Sequence, residues 1–118
     1  MDIAELLTLT VTRKASDLHL LPFRAPAIRV DGELHSLVTI PELTPGDVEQ
    51  MVFSLVNASQ KELLLANKEL DFSTVLSLNE GGDVRFRGNA YYQMRNLSAA
   101  FRLIPSKVKT IAELNLPT

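Results

Sequence analysis

The run VRFRGNAYYQMRNLSAAFRLIPSKVK, residues 84–109, holds four arginines, two lysines and no acidic residue. The whole chain carries twelve cations and fourteen acids, for a formal net charge of −2. Half of the cations are thus gathered in one stretch of an otherwise acidic protein. Arginine offers a planar fork of N–H donors that matches phosphate and carboxylate oxygens. A local positive face on an acidic body suits one defined anion, or one acidic patch on a partner. A sequence pI near 5.6 argues against general nucleic-acid binding, for which a basic domain is expected.

Side-chain alternation decides where these arginines point. Within 84–93, Val84, Phe86, Gly88, Ala90 and Tyr92 share an apolar face, and Arg85, Arg87, Asn89, Tyr91 and Gln93 share the other. Within 97–104, Leu97, Ala99, Phe101 and Leu103 are apolar, leaving Ser98, Ala100, Arg102 and Ile104 opposite. A turn centred on residues 94 and 95 sets Arg87 directly across from Arg102. Like charges so placed cost a few tenths of a kcal/mol up to ~1 kcal/mol, and the hairpin contains no counter-charge. Two readings follow. Glu69 and Asp71 on the neighbouring strand neutralise the arginines, or the face is kept open for an anion, with phosphate the best match. Two acids are too few for Arg85, Arg87 and Arg102 as a set.

The elements that must position this face are legible in order. Residues 2–14 have helical spacing, with Asp2 placed to cap the start. SDLHL (16–20) reads as a short strand. AIRVDGELHSLV (27–38) reads as a hairpin turning at Asp31-Gly32. Thr44 and Pro45 open a helix whose stripe is Val48, Met51, Val52, Leu55 and Val56; a second helix runs from about Ser59 to Asn67. ELDFSTVLSL (69–78) alternates again, Gly81-Gly82 breaks it, and the two arginine-bearing runs follow. The tail TIAELNLP has room for one or two helical turns. Consecutive strands joined by tight turns predict an α+β fold with an antiparallel sheet and helices packed on one face.

Much chemistry is excluded. With no cysteine, the 118 residues hold no disulfide and no thiolate metal site. There is neither GxxxxGK(S/T) nor GxGxxG, so the chain has no phosphate cradle of its own. His19 and His35 are not at metal-ligand spacing, and no Ser/His/Asp set can be argued. Alone, the chain is not expected to catalyse a reaction. No basic segment precedes an apolar run at the N-terminus, and no window nears the ~18–20 apolar residues that span a bilayer, so no direct membrane insertion is expected.

ASDLHL, IRVDGEL, LDFS, the pattern RFR-x-N followed twelve residues later by FR-x-IP, and the closing TIAELNLP together resemble the amino-terminal domain of the type IV pilus retraction ATPases, the PilT family with its PilU-like branch. The likeness runs in order through the whole chain. It implies a PAS-like domain over residues 1–118, followed by a RecA-like ATPase domain in a cytoplasmic hexamer peripheral to the inner membrane. The resemblance further implies that ATP and Mg²⁺ act in the full-length hexamer while this domain alone binds neither. Partners would be the neighbouring subunit's ATPase domain and an inner-membrane pilus platform protein, with no nucleic acid. Carried over residue by residue, Arg87 and Arg102 match arginines that act in trans on a neighbour's nucleotide, the arginine-finger role. Asp31, Arg85 and Arg95 match positions that approach that nucleotide. Gly88 departs from the pattern, standing where valine is usual.

Alternatives stand beside these assignments. Asp31 is equally the residue a tight hairpin turn needs. Asp17 and His19 suit local hydrogen bonding or a domain interface better than chemistry. Phe86, Tyr91, Tyr92 and Phe101 suit core or rim packing better than base stacking. For the chain as a whole, the other readings are a stand-alone PAS-like ligand sensor, and a single-strand binder using the basic face with Tyr91 stacking.

Overall fold

A computed structural model describes residues 2–78 and 82–105. The elements run α1 (Ile3–Thr12), β1 (Asp17–Leu20), β2 (Ala27–Val30), β3 (Glu33–Ser36), α2 (Pro45–Phe53), α3 (Ala58–Asn67), β4 (Glu69–Leu78), β5 (Gly82–Gln93) and β6 (Asn96–Ile104). The helical turns expected in the tail, and Lys107 and Lys109, lie outside the described residues.

Local chemistry accounts for the helix starts. Asp2 accepts from the Glu5 N–H while the Glu5 side chain accepts from the Asp2 N–H, each at 2.9 Å, a reciprocal capping box. Thr44 and Asp47 repeat the device at α2, with Pro45 in the first turn. Asn57 and Gln60 do so at α3. The stripe expected to continue to Leu55 and Val56 outlasts its helix. α2 ends at Phe53, and both residues pack partly buried from the connection that follows.

The six strands form one antiparallel sheet in the order β3-β2-β1-β6-β5-β4. Two of its connections are tight two-residue hairpins. Asp31 and Gly32 have φ of 52° and 83°, and Met94 and Arg95 have φ of 55° and 71°. Paired positive φ values give the turn whose twist matches the flanking strands. The second hairpin sets the register of β5 on β6, with Gln93 opposite Asn96 and Arg87 opposite Arg102. A slip of one residue would carry every side chain to the wrong face.

One side of the sheet is apolar and covered. Leu18, Leu20, Ile28, Phe86, Leu97 and Phe101 are all buried, and Leu6, Val48, Val52 and Leu64 from the three helices close over them in a single cluster. Each such burial contributes roughly 1.5–3 kcal/mol, which is why the helices gather on this side. Gly88 fits here as well. It lies between Phe72 on β4 and Phe101 on β6 in the register, whose rings meet edge-on at 6.0 Å. A Cβ at Gly88 would sit 2.7 Å from the Phe72 ring. The opposite side of the sheet carries the arginines.

Candidate functional site

β5, β6 and β1 build the site. On their polar side one row crosses the sheet: Ser73, Arg87, Arg102, Asp17, Arg29 and Leu34, each paired with the next. The next row reads Asp71, Asn89, Ala100, His19, Ala27 and Ser36. The alanines leave the second row low. A depression of about 400 Å³ opens there, its polar lining made by Asp17, His19, Asp71, Arg87, Asn89 and Arg102.

Arg87 and Arg102 are the adjacent pair that alternation and the turn position predicted. Arg85 is two residues from Arg87 on the same side, opposite Ile104 on one flank and Val75 on the other. Among the described residues, neither Arg85 nor Arg87 has a carboxylate partner. The three arginines are therefore neighbours on one exposed surface.

The neutralising acids are not those expected. Glu69 lies opposite Tyr91, and Asp71 lies opposite Asn89, whose amide donates to it at 2.7 Å. Both sit one or two rows away from Arg87. The carboxylate that meets an arginine is Asp17, reached through the pairing of β1 with β6. Asp17 Oδ1 lies 3.6 Å from Arg102 Nε, and Oδ2 lies 3.5 Å from Arg29 Nε and 3.7 Å from His19 Nε2. The Asp17 side chain is 10% exposed and that of Arg102 is 75% exposed. Buried carboxylates are seldom found unpaired, and this one has a guanidinium on each side. His19 Nε2 is itself buried, with no hydrogen-bond partner among the described residues.

The remaining candidates separate. Asp31 is a turn residue at the tip of the β2–β3 hairpin, at the same end of the sheet as Arg85 but three strands across. Arg95 occupies the β5–β6 turn at the other end. Eight residues from Arg87, it lies on the order of 25 Å away at ~3.3 Å per residue, so the structure does not bring it to the arginine cluster. Phe86 and Phe101 are core residues. Tyr92 also faces the core side, where burial, with Glu49 beside its hydroxyl, raises its pKa. Tyr91 lies on the polar side, half-buried, opposite Glu69 and Ser98.

Among the described residues, no group of three or more His, Cys, Asp or Glu could hold a metal ion, and no helix is long and apolar enough to cross a membrane. What the face can do chemically is offer guanidinium donors to an oxyanion from outside the chain.

A type IV pilus retraction ATPase, PilT, of Pseudomonas aeruginosa is 40% identical over 116 residues, covering 98% of this chain and 32% of that protein. A solved structure of the pilus retraction motor PilT with bound ADP superposes with a TM-score of 0.77 at 33% identity, covering 90% of this chain and 30% of that one. The chain belongs to the PilT family, in its amino-terminal part. A twitching motility protein of Neisseria gonorrhoeae is 38% identical over 96 residues, covering 81% of this chain and 24% of its own. No protein-family model matches. The chain thus spans about a third or less of the length of the PilT-family relatives it matches. The α+β sheet with helices on one face is the fold of the PilT neighbour.

Proposed function

We propose that this chain is the amino-terminal domain of a type IV pilus retraction ATPase of the cytoplasm, and that it supplies arginines to ATP held by a neighbouring subunit. A RecA-like ATPase domain follows residue 118 in this reading, and the working assembly is a hexamer engaging an inner-membrane platform protein. The observation that carries the reading is the adjacency of Arg87 and Arg102 on an uncovered sheet face. Arg87 has no carboxylate partner among the described residues, and Arg102 is only lightly held.

Phosphoryl transfer asks little covalent chemistry of the protein and much positioning of positive charge. The terminal nitrogens of Arg102 and Arg87 would donate to the γ-phosphate oxygens as charge spreads over them. Arg85, one row along, would meet the neighbour's nucleotide further from the transferring group. Asp31 shares that end of the sheet and Arg95 does not, so a single bound nucleotide would use at most the former. Mg²⁺ would be held with the nucleotide by the ATPase domain.

The test is the Arg102→Ala variant of the protein carrying the ATPase domain. Assembly measured by light scattering should be unchanged, while ATP turnover falls by roughly 10³-fold or more, the scale of a lost arginine finger. Turnover equal to wild type would remove the proposal.

A further inference from the structure

Asp17 is placed by the register opposite two arginines at once, Arg29 on β2 and Arg102 on β6. Its two oxygens are divided between them, each contact made at Nε. The two guanidinium groups then differ. Arg29 also donates through Nη1 to the Gly32 carbonyl at 3.1 Å, which ties it to the β2–β3 hairpin. Arg102 has no second partner among the described residues and is far more exposed than the carboxylate that holds it. Contact at Nε alone leaves the terminal nitrogens of Arg102, which carry most of its donors, available to another acceptor.

We propose that Asp17 is the positioning residue for Arg102. Anchored from behind by Arg29 and flanked by His19, its carboxylate holds the arginine by Nε so that the terminal nitrogens are presented to a phosphate arriving from outside the chain. The proposal rests on the reading of Arg102 as an arginine acting in trans, and it names what orders that arginine. A long side chain loses rotamer freedom when its head is fixed. Prior fixing by Asp17 removes part of that loss from the reactive step, where small misplacements are costly. The same carboxylate offsets the repulsion between Arg102 and Arg87 in the adjacent strand pair. Its distance of 3.6 Å from Nε is an ion-pair contact rather than a full hydrogen bond, so it steers Arg102 without locking it.

The experiment is a mutant cycle in the protein carrying the ATPase domain, using Asp17→Asn, Asp17→Glu, Arg102→Ala and the double variant Asp17→Asn/Arg102→Ala. Asp17→Asn should lower kcat about tenfold or more with KM for ATP within about twofold, Asp17→Glu should recover part of the loss, and the double variant should be no worse than Arg102→Ala alone. Wild-type kcat in Asp17→Asn beside a large loss in Arg102→Ala would overturn the positioning role and leave the proposed function standing. No loss in Arg102→Ala would overturn both. A double variant worse than Arg102→Ala would show Asp17 acting by another route, against the proposal. The 118-residue chain gives a readout that does not depend on activity or on a foldable variant. By NMR, the Arg102 Nε–Hε bond should be more ordered on the picosecond–nanosecond timescale than that of Arg87; equal order in the two side chains would contradict the positioning.

Discussion

Arg87 and Arg102 face each other directly across the β5–β6 ladder on the open side of the sheet, and among the described residues only Arg102 of the two has a carboxylate, that of Asp17, at ion-pair distance. Stability by itself would not select this pairing. Opposed like charges in a ladder cost a few tenths of a kcal/mol up to ~1 kcal/mol.

Relieving the pair should therefore stabilise the isolated chain. Arg87→Gln is expected to raise the unfolding free energy by a few tenths of a kcal/mol up to ~1 kcal/mol, measured by urea titration. The gain should shrink at high salt, where exposed charges are screened. A variant less stable than wild type at low salt would mean that Arg87 has an attractive partner.

Gly88 should resist enlargement. Alanine in place of glycine normally gains up to ~1 kcal/mol in a strand interior. Here its methyl would meet the buried Phe72 ring at 2.7 Å, with that ring already against Phe101. Overpacking of this kind costs roughly 1–3 kcal/mol, so Gly88→Ala should lower the urea midpoint. An unchanged midpoint would show that the Phe72 ring tilts away freely.

The reach of sequence reasoning divides along the same lines. Caps, turns and alternation are local, and so the starts of α1 and α2, both tight hairpins and the Arg87–Arg102 register were readable from residue types a few positions apart. Pairing between β1 and β6 is not local. Asp17 and Arg102 are joined by strand order, which no period or turn residue encodes, so the sequence alone points to Glu69 and Asp71 on the adjacent strand for counter-charge. His19 was marked for local contacts, but the burial of its Nε2 depends on the same pairing. The departure at Gly88 was visible, but its cause, the Phe72 ring, needed the β4–β5 register.

At the α2 start, the Thr44 N–H donates to the Asp47 carboxylate at 2.9 Å, and this bond, with a smaller contribution from the Thr44 side chain, lowers the Asp47 pKa. A carboxyl whose pKa is lower in the folded chain than in the unfolded one stabilises the fold above its ordinary value. That contribution is lost as pH falls through the folded-state pKa. Asp47→Asn should thus be less stable than wild type at pH 7, and the difference should narrow as pH drops below ~4. A difference independent of pH would assign the effect to the helix start in some other way.

Arg95 sits in the left-handed region with Met94, where non-glycine residues cost roughly 1–2 kcal/mol each. Met94→Asn with Arg95→Gly, the pair that this turn favours, should raise the thermal midpoint of the chain. The same double variant in the protein carrying the ATPase domain should keep its ATP turnover, because Arg95 lies at the far end of the sheet from Arg87. A turnover loss on the scale of Arg102→Ala would place Arg95 in the site.

The most direct measurement of the central claim mixes two inactive proteins. One carries Arg87→Ala and Arg102→Ala with an intact ATPase domain; the other carries intact arginines with a disabled nucleotide site. If the arginines serve a neighbour's nucleotide, mixed assemblies should turn over ATP well above either protein alone. Turnover in the mixture no higher than in the separate proteins, with co-assembly shown, would contradict action in trans.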